Sequence, residues 1–168
     1  MNARQEKRMR TSSKDLVSLA KRDVPEVSVQ EVKSRLDRGE RFILLDVRDP
    51  DEHRDGHIGG SLHVSRGLLE FRVQNLIPNP DEEIVVYCAA GLRSLLAAQT
   101  LKALGYTSVS SMAGGFQRWR ESGYPFVVPK TFSPEQRLRY SRHFILPGVG
   151  EEGQRKLQDA RVLLVGAG

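Results

Sequence analysis

The chain has 168 residues, of which 39% are hydrophobic and 28% are charged, as in an ordinary globular protein. No apolar run approaches the roughly 20 residues that cross a bilayer, so we expect no membrane partner. The N-terminus lacks the apolar segment of a secretory signal, and a cytoplasmic location is therefore predicted.

The net charge of +5 comes from the N-terminal arm of the chain. Residues 1–22 hold seven Lys or Arg against two acids, so the rest of the chain is neutral. A basic arm of this kind is typical of a solvated tail, and we predict a flexible segment over residues 1–23. RNA contact or organelle targeting is the less favoured alternative, so nucleic acid is not expected as a partner.

Cys88 is the one cysteine of the sequence. A single thiol can form neither an intramolecular disulfide nor a multi-thiolate metal site, which indicates a reducing compartment and argues against zinc. We therefore predict no metal and no cofactor.

Helices and strands alternate along the predicted folded domain, residues 24–128. Ser28 and Glu31 predict a capping box at the start of a short helix. Nearly continuous apolar runs at 41–47 and 84–88 have the length of strands buried on both faces. The other predicted elements are an extended piece at 62–64, a helix through 68–76, a helix through 95–104, a strand at 109–112 and a helix that buries Phe116 and Trp119.

This order of elements predicts an α/β fold with a parallel sheet of about five strands and helices on both faces. Sheets of this kind hold their ligands outside the carboxyl ends of the strands. Cys88 ends a predicted central strand, so we expect the functional site there.

The segment Cys88–Arg93 has the composition of an anion-binding turn. Its inner residues are Ala89, Ala90, Gly91 and Leu92. The small residues leave the backbone uncovered, so successive N–H groups can surround the sulfur, and the positive end of the next helix adds to them. Such surroundings favour a thiolate at Cys88. Arg93 adds a fixed positive charge suited to anionic donors.

This loop resembles the active-site loop of the rhodanese family, which runs six residues from a persulfide-forming cysteine to a terminal Arg or Thr. The resemblance covers about residues 24–128. Its further motifs are Leu45-Asp46-Val47-Arg48, Glu52, Gly56-His57-Ile58-Gly59-Gly60-Ser61, and Gly114-Gly115-Phe116 with Trp119. It implies that Asp46 and Arg48 form a buried pair beside the loop and that His57 belongs to a segment that closes over the sheet. For these supporting residues, scaffolding is favoured over catalysis.

The same resemblance implies a sulfurtransferase. The Cys88 thiolate would take the outer sulfur of thiosulfate or of a cysteine desulfurase persulfide. Because the chain has no second cysteine to form a disulfide, the sulfur would pass to an external acceptor. In the family, loops that use thiosulfate often carry a cation directly after the cysteine, whereas Ala89 is neutral, so thiosulfate is the less favoured donor.

Two other functions remain open. A cysteine phosphatase of similar fold places five residues between its cysteine and its arginine, whereas four separate Cys88 from Arg93. A non-catalytic docking or regulatory module often lacks the nucleophile, which is present here. Sulfur transfer is therefore the favoured hypothesis.

Residues 131–168 carry a second resemblance. The similar stretches are residues 133–143, 146–150 and 161–168. They are similar to the opening of the adenylyltransferases that activate ubiquitin-like sulfur carriers for molybdopterin or thiamin synthesis, which are related to ubiquitin-activating enzymes. This resemblance implies a ubiquitin-like sulfur carrier as the acceptor of the sulfur.

In that family, residues 162–165 would form the first strand of a nucleotide-binding fold, followed by the start of its glycine turn. Because the motif stops at Gly168, adenylyltransferase activity is not expected of this chain. We interpret residues 129–168 as a linker, a helix and the first strand of a truncated domain, and expect residues 150–168 to pack poorly, because one strand cannot bury both faces alone.

Overall fold

The computed structural model describes residues 11–129, 132–161 and 166. The chain divides into two compact units, residues 1–128 and 129–168, and each is described by itself. No helix within the described ranges is long and apolar enough to cross a membrane.

The first unit alternates strands and helices, as predicted. Its strands are β1 (Glu26–Val27), β2 (Ile43–Asp46), β3 (Leu62–His63), β4 (Ile84–Tyr87) and β5 (Val109–Met112). Its helices are α1 (Ser13–Asp23), α2 (Val29–Asp37), α3 (Pro50–Arg54), α4 (Leu69–Leu76), α5 (Leu92–Ala103) and α6 (Gly115–Glu121), and a 3-10 turn at Arg66–Leu68 precedes α4.

The five strands form one parallel sheet in the order β1-β5-β4-β2-β3. The predicted α/β class and five-stranded parallel sheet are confirmed. β4 lies at the centre, with Val86 opposite Leu45 of β2 on one side and Ser111 of β5 on the other. The carboxyl ends of these three strands therefore meet at one edge, where the following loops can form a site.

Successive residues of β4 contribute to two separate hydrophobic cores. Ile84 and Val86 pack in the core beneath α1, α4 and α5, whereas Val85 and Tyr87 pack in the core beneath α2 and α6. All four side chains are fully buried. Burial of one large apolar side chain stabilises the folded state by about 1.5–3 kcal/mol. Cys88 continues the alternation and lies in the core beneath α5.

The flexible arm predicted for residues 1–23 is wrong for its second half. Residues 13–23 form α1, which opens with a capping box between Ser12 and Asp15 and packs on α5. Ala20 is fully buried in the core. A helix that lies on another helix needs only a narrow apolar stripe, so its Lys and Arg side chains can stay in solvent. Residues 1–10 lie outside the described ranges.

Two further elements differ from the expected pattern. Residues 50–54, for which the sequence predicts no element, form α3, because Pro50 is favourable in a first helical turn and the Glu52 carboxylate accepts from Asp49 N at 3.1 Å. The helix predicted through 68–76 begins one residue later, after the 3-10 turn. This start buries Leu69 and leaves Phe71 82% exposed.

The described part of the second unit consists of short helices. They are α7 (Pro134–Arg139), α8 (Ser141–Phe144) and α9 (Gly150–Asp159). Phe132 packs against Tyr140 and Phe144, with ring centroids 6.1 and 4.9 Å away. Within α9, Gln154 is the buried residue. The strand predicted at residues 162–165 lies outside the described residues.

Candidate active site

Cys88 lies directly after the central strand, at the start of the loop that leads into α5. Its Sγ accepts a hydrogen bond from Gly91 N at 3.2 Å and lies 3.6 Å from Ser94 Oγ. The residue is only 1% exposed. The predicted ring of amides around the sulfur is therefore wrong, because one amide among the described residues contacts Sγ. The sulfur is also covered, since the alternation of β4 turns it toward α5.

Gly91 makes the turn of this loop possible. Its φ is +94°, a left-handed conformation that favours glycine, and it forms the N-cap of α5. A Cβ at this position would lie 3.0 Å from Gly114 N. The loop therefore packs directly on the backbone of the Gly-Gly turn that follows β5.

The first turn of α6 binds the two carbonyl groups that begin the loop. Phe116 N donates to Cys88 O at 2.8 Å, and Gln117 N donates to Ala89 O at 2.9 Å. In a trans peptide the N–H points opposite to the C=O, so the N–H groups of Ala89 and Ala90 point away from α6. Neither has a hydrogen-bond partner within the described part of the chain. Both donors therefore remain available to an anion or to a transferred sulfur.

Two buried serines support the loop from the core side. Ser94 Oγ donates to Gly91 O at 2.9 Å and accepts from Ser111 Oγ at 2.8 Å, and both side chains are fully buried. No local pattern in the sequence indicates this pair. Ser111 lies in β5 and Ser94 in α5, 17 residues apart, and only the packing of the helix on the sheet brings them together.

Arg93 is held by carboxylates at the surface of the loop. Its guanidinium donates to both oxygens of Glu52 at 2.8 Å and to Asp49 at 3.1 Å. The hydrogen bonds from Arg93 lower the pKa of the Glu52 carboxyl, and those to Glu52 raise the pKa of Arg93. The charge of Arg93 is therefore balanced by Glu52 and Asp49. Arg93 is not the unpaired cation that was expected to bind an anionic donor.

Glu52→Gln is expected to lower the free energy of unfolding by about 1 kcal/mol at pH 7, since the ion pair is partly exposed. Because the folded-state pKa of Glu52 is lowered, its stabilisation is present above the ordinary pKa of 4.5 and is lost as the pH falls through the folded-state value. Urea unfolding of both proteins from pH 7 to pH 3 checks this. A difference that stays constant over this range would contradict it.

Asp46 and Arg48 form a buried ion pair at the carboxyl end of β2. Arg48 donates from Nη2 to Asp46 at 2.6 Å and to Gly56 O at 2.8 Å, and it also reaches Glu52 O. Burial raises the pKa of Asp46, but hydrogen bonds from Arg48 and His53 outweigh it, so the pKa lies below its usual value. The pair thereby connects β2 to the helix that carries Glu52.

His57 lies in a stack of three imidazoles. The ring of His53 lies 3.9 Å from that of His57 and 4.2 Å from that of His63. His57 also pairs through its backbone with Val127. Burial lowers the pKa of His53, and this effect outweighs the hydrogen bond to Asp46, which raises the pKa. The described contacts of His57 are thus structural ones, and it is not brought to Cys88.

A cleft of about 540 Å³ opens beside the loop. Its lining includes Ala89, the residue next to Cys88, together with Phe116 of α6 and Glu52 of α3. A second cleft of about 500 Å³ lies next to Ala90 and Gly114. Clefts of this size hold small molecules, so the loop is flanked by space in which a donor or an acceptor can bind.

Comparison with known proteins identifies relatives for the first unit. Residues 28–122, more than half of the chain, match the family model of the rhodanese-like domain. A sulfurtransferase of Allochromatium vinosum is 34% identical over 107 residues, which cover 64% of this chain and 98% of that protein. The putative sulfur carrier protein YrkF of Bacillus subtilis is 35% identical over 96 residues. These cover 57% of this chain and 51% of YrkF, so the chain spans about half of that relative.

A solved structure from Rhodopseudomonas palustris is also similar. It is described as a protein of unknown function and possible tyrosine phosphatase. The TM-score is 0.63 at 35% identity, and the match covers 69% of this chain and 94% of that one. Together with the family-model match, these similarities show that the chain belongs to the rhodanese-like domain family.

Proposed function

We propose that the chain is a sulfurtransferase that carries sulfane sulfur as a persulfide on Cys88. The main supporting observation is the position of Sγ just before α5, where it accepts a hydrogen bond from Gly91 N in a loop whose Ala89 and Ala90 amides have no partner among the described residues. Relatives named as a sulfurtransferase and a putative sulfur carrier protein support sulfur transfer in general.

The proposed reaction has two half-reactions. In the first, the Cys88 thiolate attacks the outer sulfur of a donor R–S–SH. A new S–S bond forms, the bond from R–S to the outer sulfur breaks, and R–S⁻ leaves with the electron pair while the hydrogen stays on the transferred sulfur. In the second, a thiolate or cyanide takes the outer sulfur, the proton is released, and the Cys88 thiolate is restored. With a thiolate or cyanide as the acceptor, neither half-reaction requires an external oxidant or reductant.

The unpaired amides would bind the negative charge of the persulfide. Backbone N–H groups and a helix N-terminus stabilise an anion without rearranging, which is the basis of oxyanion holes. Because Sγ is 1% exposed, attack also requires the loop to move. Ala90 and Leu92 are exposed, and we propose that this outer part of the loop moves to admit the donor.

The physiological partners follow from the resemblances and are proposals. The donor would be thiosulfate or, preferably, a persulfide such as that of a cysteine desulfurase, and the acceptor a ubiquitin-like sulfur carrier of molybdopterin or thiamin synthesis. The family match ends at residue 122. The truncated adenylyltransferase segment that follows it stays a prediction, and so does the cytoplasmic location.

Intact mass spectrometry tests the proposed function. The full chain is incubated separately with thiosulfate and with cysteine persulfide, and we expect a mass gain of one sulfur atom. Cyanide should remove this sulfur and release thiocyanate. Absence of both mass gain and thiocyanate with either donor would contradict sulfur transfer and favour a docking module.

A cysteine phosphatase is the second candidate, because the similar Rhodopseudomonas palustris protein is described as a possible tyrosine phosphatase. Two observations count against a phosphatase. Four residues rather than five separate Cys88 from Arg93, and the Arg93 guanidinium is already paired with the Glu52 carboxylate. Hydrolysis of p-nitrophenyl phosphate that depends on Cys88, without sulfur incorporation, would favour the phosphatase.

A further inference from the structure

Arg120 lines the cleft beside Ala89 and, among the described residues, has no anionic partner. Of the other arginines near the loop, Arg48 is paired with Asp46 and Arg93 with Glu52. The Arg120 guanidinium lies 5.4 Å from the ring centroid of Phe126, and no carboxylate pairs with it in the described part of the chain. It is therefore the positive group that the cleft offers to a ligand.

Asp55 is an unpaired acid lining the same cleft. It follows the last residue of α3, its side chain is exposed, and within the described residues its carboxylate forms neither an ion pair nor a hydrogen bond. Arg120 and Asp55 do not pair with each other either. The cleft thus presents two separated, unpaired charges of opposite sign.

We propose that this cleft binds the zwitterionic head of an amino-acid or short-peptide persulfide, with its carboxylate on Arg120 and its ammonium on Asp55. This inference rests on the proposed sulfur transfer and names the substrate class. A planar guanidinium matches a carboxylate with two N–H groups. Phe116 and Ala89 lie along the same cleft, so they contact the apolar stem that connects the charged head to the reacting sulfur at the loop.

The charges of the cleft also disfavour an inorganic dianion. Its lining holds three acids, Glu52, Asp55 and Glu121, against the two cations Arg48 and Arg120, and like charges across a binding site lower affinity. A volume of about 540 Å³ is in the usual range for small organic ligands and exceeds what a thiosulfate ion fills. A zwitterion satisfies both free charges, whereas a dianion satisfies only Arg120.

Two donors that differ only in the ammonium group test this inference. The full chain is assayed for sulfur transfer to cyanide from cysteine persulfide and from the persulfide of 3-mercaptopropionate. Arg120→Ala is expected to raise the KM for both donors roughly tenfold, the usual effect of losing a charged hydrogen bond. Asp55→Asn is expected to raise the KM for cysteine persulfide by a similar factor and to leave the KM for 3-mercaptopropionate persulfide unchanged, with little change in kcat for either variant.

Two surface variants serve as matched controls. Arg72→Ala removes an exposed guanidinium of α4 that lines neither cleft, and Asp51→Asn removes a neighbouring acid of α3 that is not in the lining. Both should leave the KM values unchanged. If the wild type loads sulfur but Arg120→Ala and Asp55→Asn behave like the controls, the zwitterion site is refuted and sulfur transfer stands. If the wild type takes sulfur from neither donor nor from thiosulfate, both proposals are refuted.

Discussion

Cys88→Ser is expected to abolish sulfur loading and to lower the rate of transfer by at least about 1,000-fold, as for the loss of a catalytic nucleophile. A serine hydroxyl does not ionise near neutral pH and is a weak nucleophile toward sulfur. Serine is nearly isosteric with cysteine, so its side chain should still fill the buried position. Mass spectrometry after incubation with donor, together with the rate of thiocyanate release, measures both effects.

Ser94→Ala is the control for this experiment, because Ser94 Oγ lies 3.6 Å from Sγ in the same buried pocket. The variant should still gain one sulfur atom, although it loses about 1–3 kcal/mol of stability since Gly91 O and Ser111 Oγ lose a partner. A mass gain retained in Cys88→Ser would show that another group carries the sulfur and would refute the mechanism.

Gly115→Ala is expected to lower the free energy of unfolding by about 4 kcal/mol, combining left-handed strain with overpacking. Gly115 has φ +56°, and a Cβ there would overlap Cys88 O and lie 2.7 Å from Ala89 O. Both contacts are with backbone, which cannot turn aside as a flexible side chain can. The variant should also lose sulfur loading, because the loop must move off α6. Urea unfolding and the mass measurement check the two effects.

Gly123→Ala separates the two causes. Gly123 follows the same helix with φ +71°, but a Cβ there meets no atom within 4 Å. Its cost should be limited to the left-handed strain of about 1–2 kcal/mol, and sulfur loading should persist. Equal destabilisation by the two variants would show that the packing of α6 against the loop is not what excludes a side chain at Gly115.

The order of elements and the sheet type could be predicted because both appear as local patterns. Ile84–Tyr87 reads as a continuous apolar run, and a strand with such a run has to be covered on both faces. The helical spacing of apolar residues after Cys88 likewise predicted α5, and the apolar Trp119 predicted α6. The site position followed from the same order, since a loop after a central parallel strand lies at the binding edge of the sheet.

The elements missed from the sequence have weak local patterns. α1 buries Ala20 on α5, and a small apolar stripe among many basic residues does not distinguish a packed helix from a solvated tail. The ion pair of Arg93 with Glu52 also has no local pattern. The distance of Arg93 from Glu52 along the chain is 41 residues, and neither residue alone indicates that they pair.

Local sequence patterns were enough to predict the α/β class, the strands that needed covering on both faces, and the six-residue loop that begins at Cys88, because periodicity and turn composition act over a few neighbouring residues. The packing of the elements was needed to show that Glu52 neutralises Arg93, that the sulfur is covered, and that Arg120 and Asp55 have no partners among the described residues. These are contacts between side chains brought together by the sheet order, and their geometry depends on how whole elements pack.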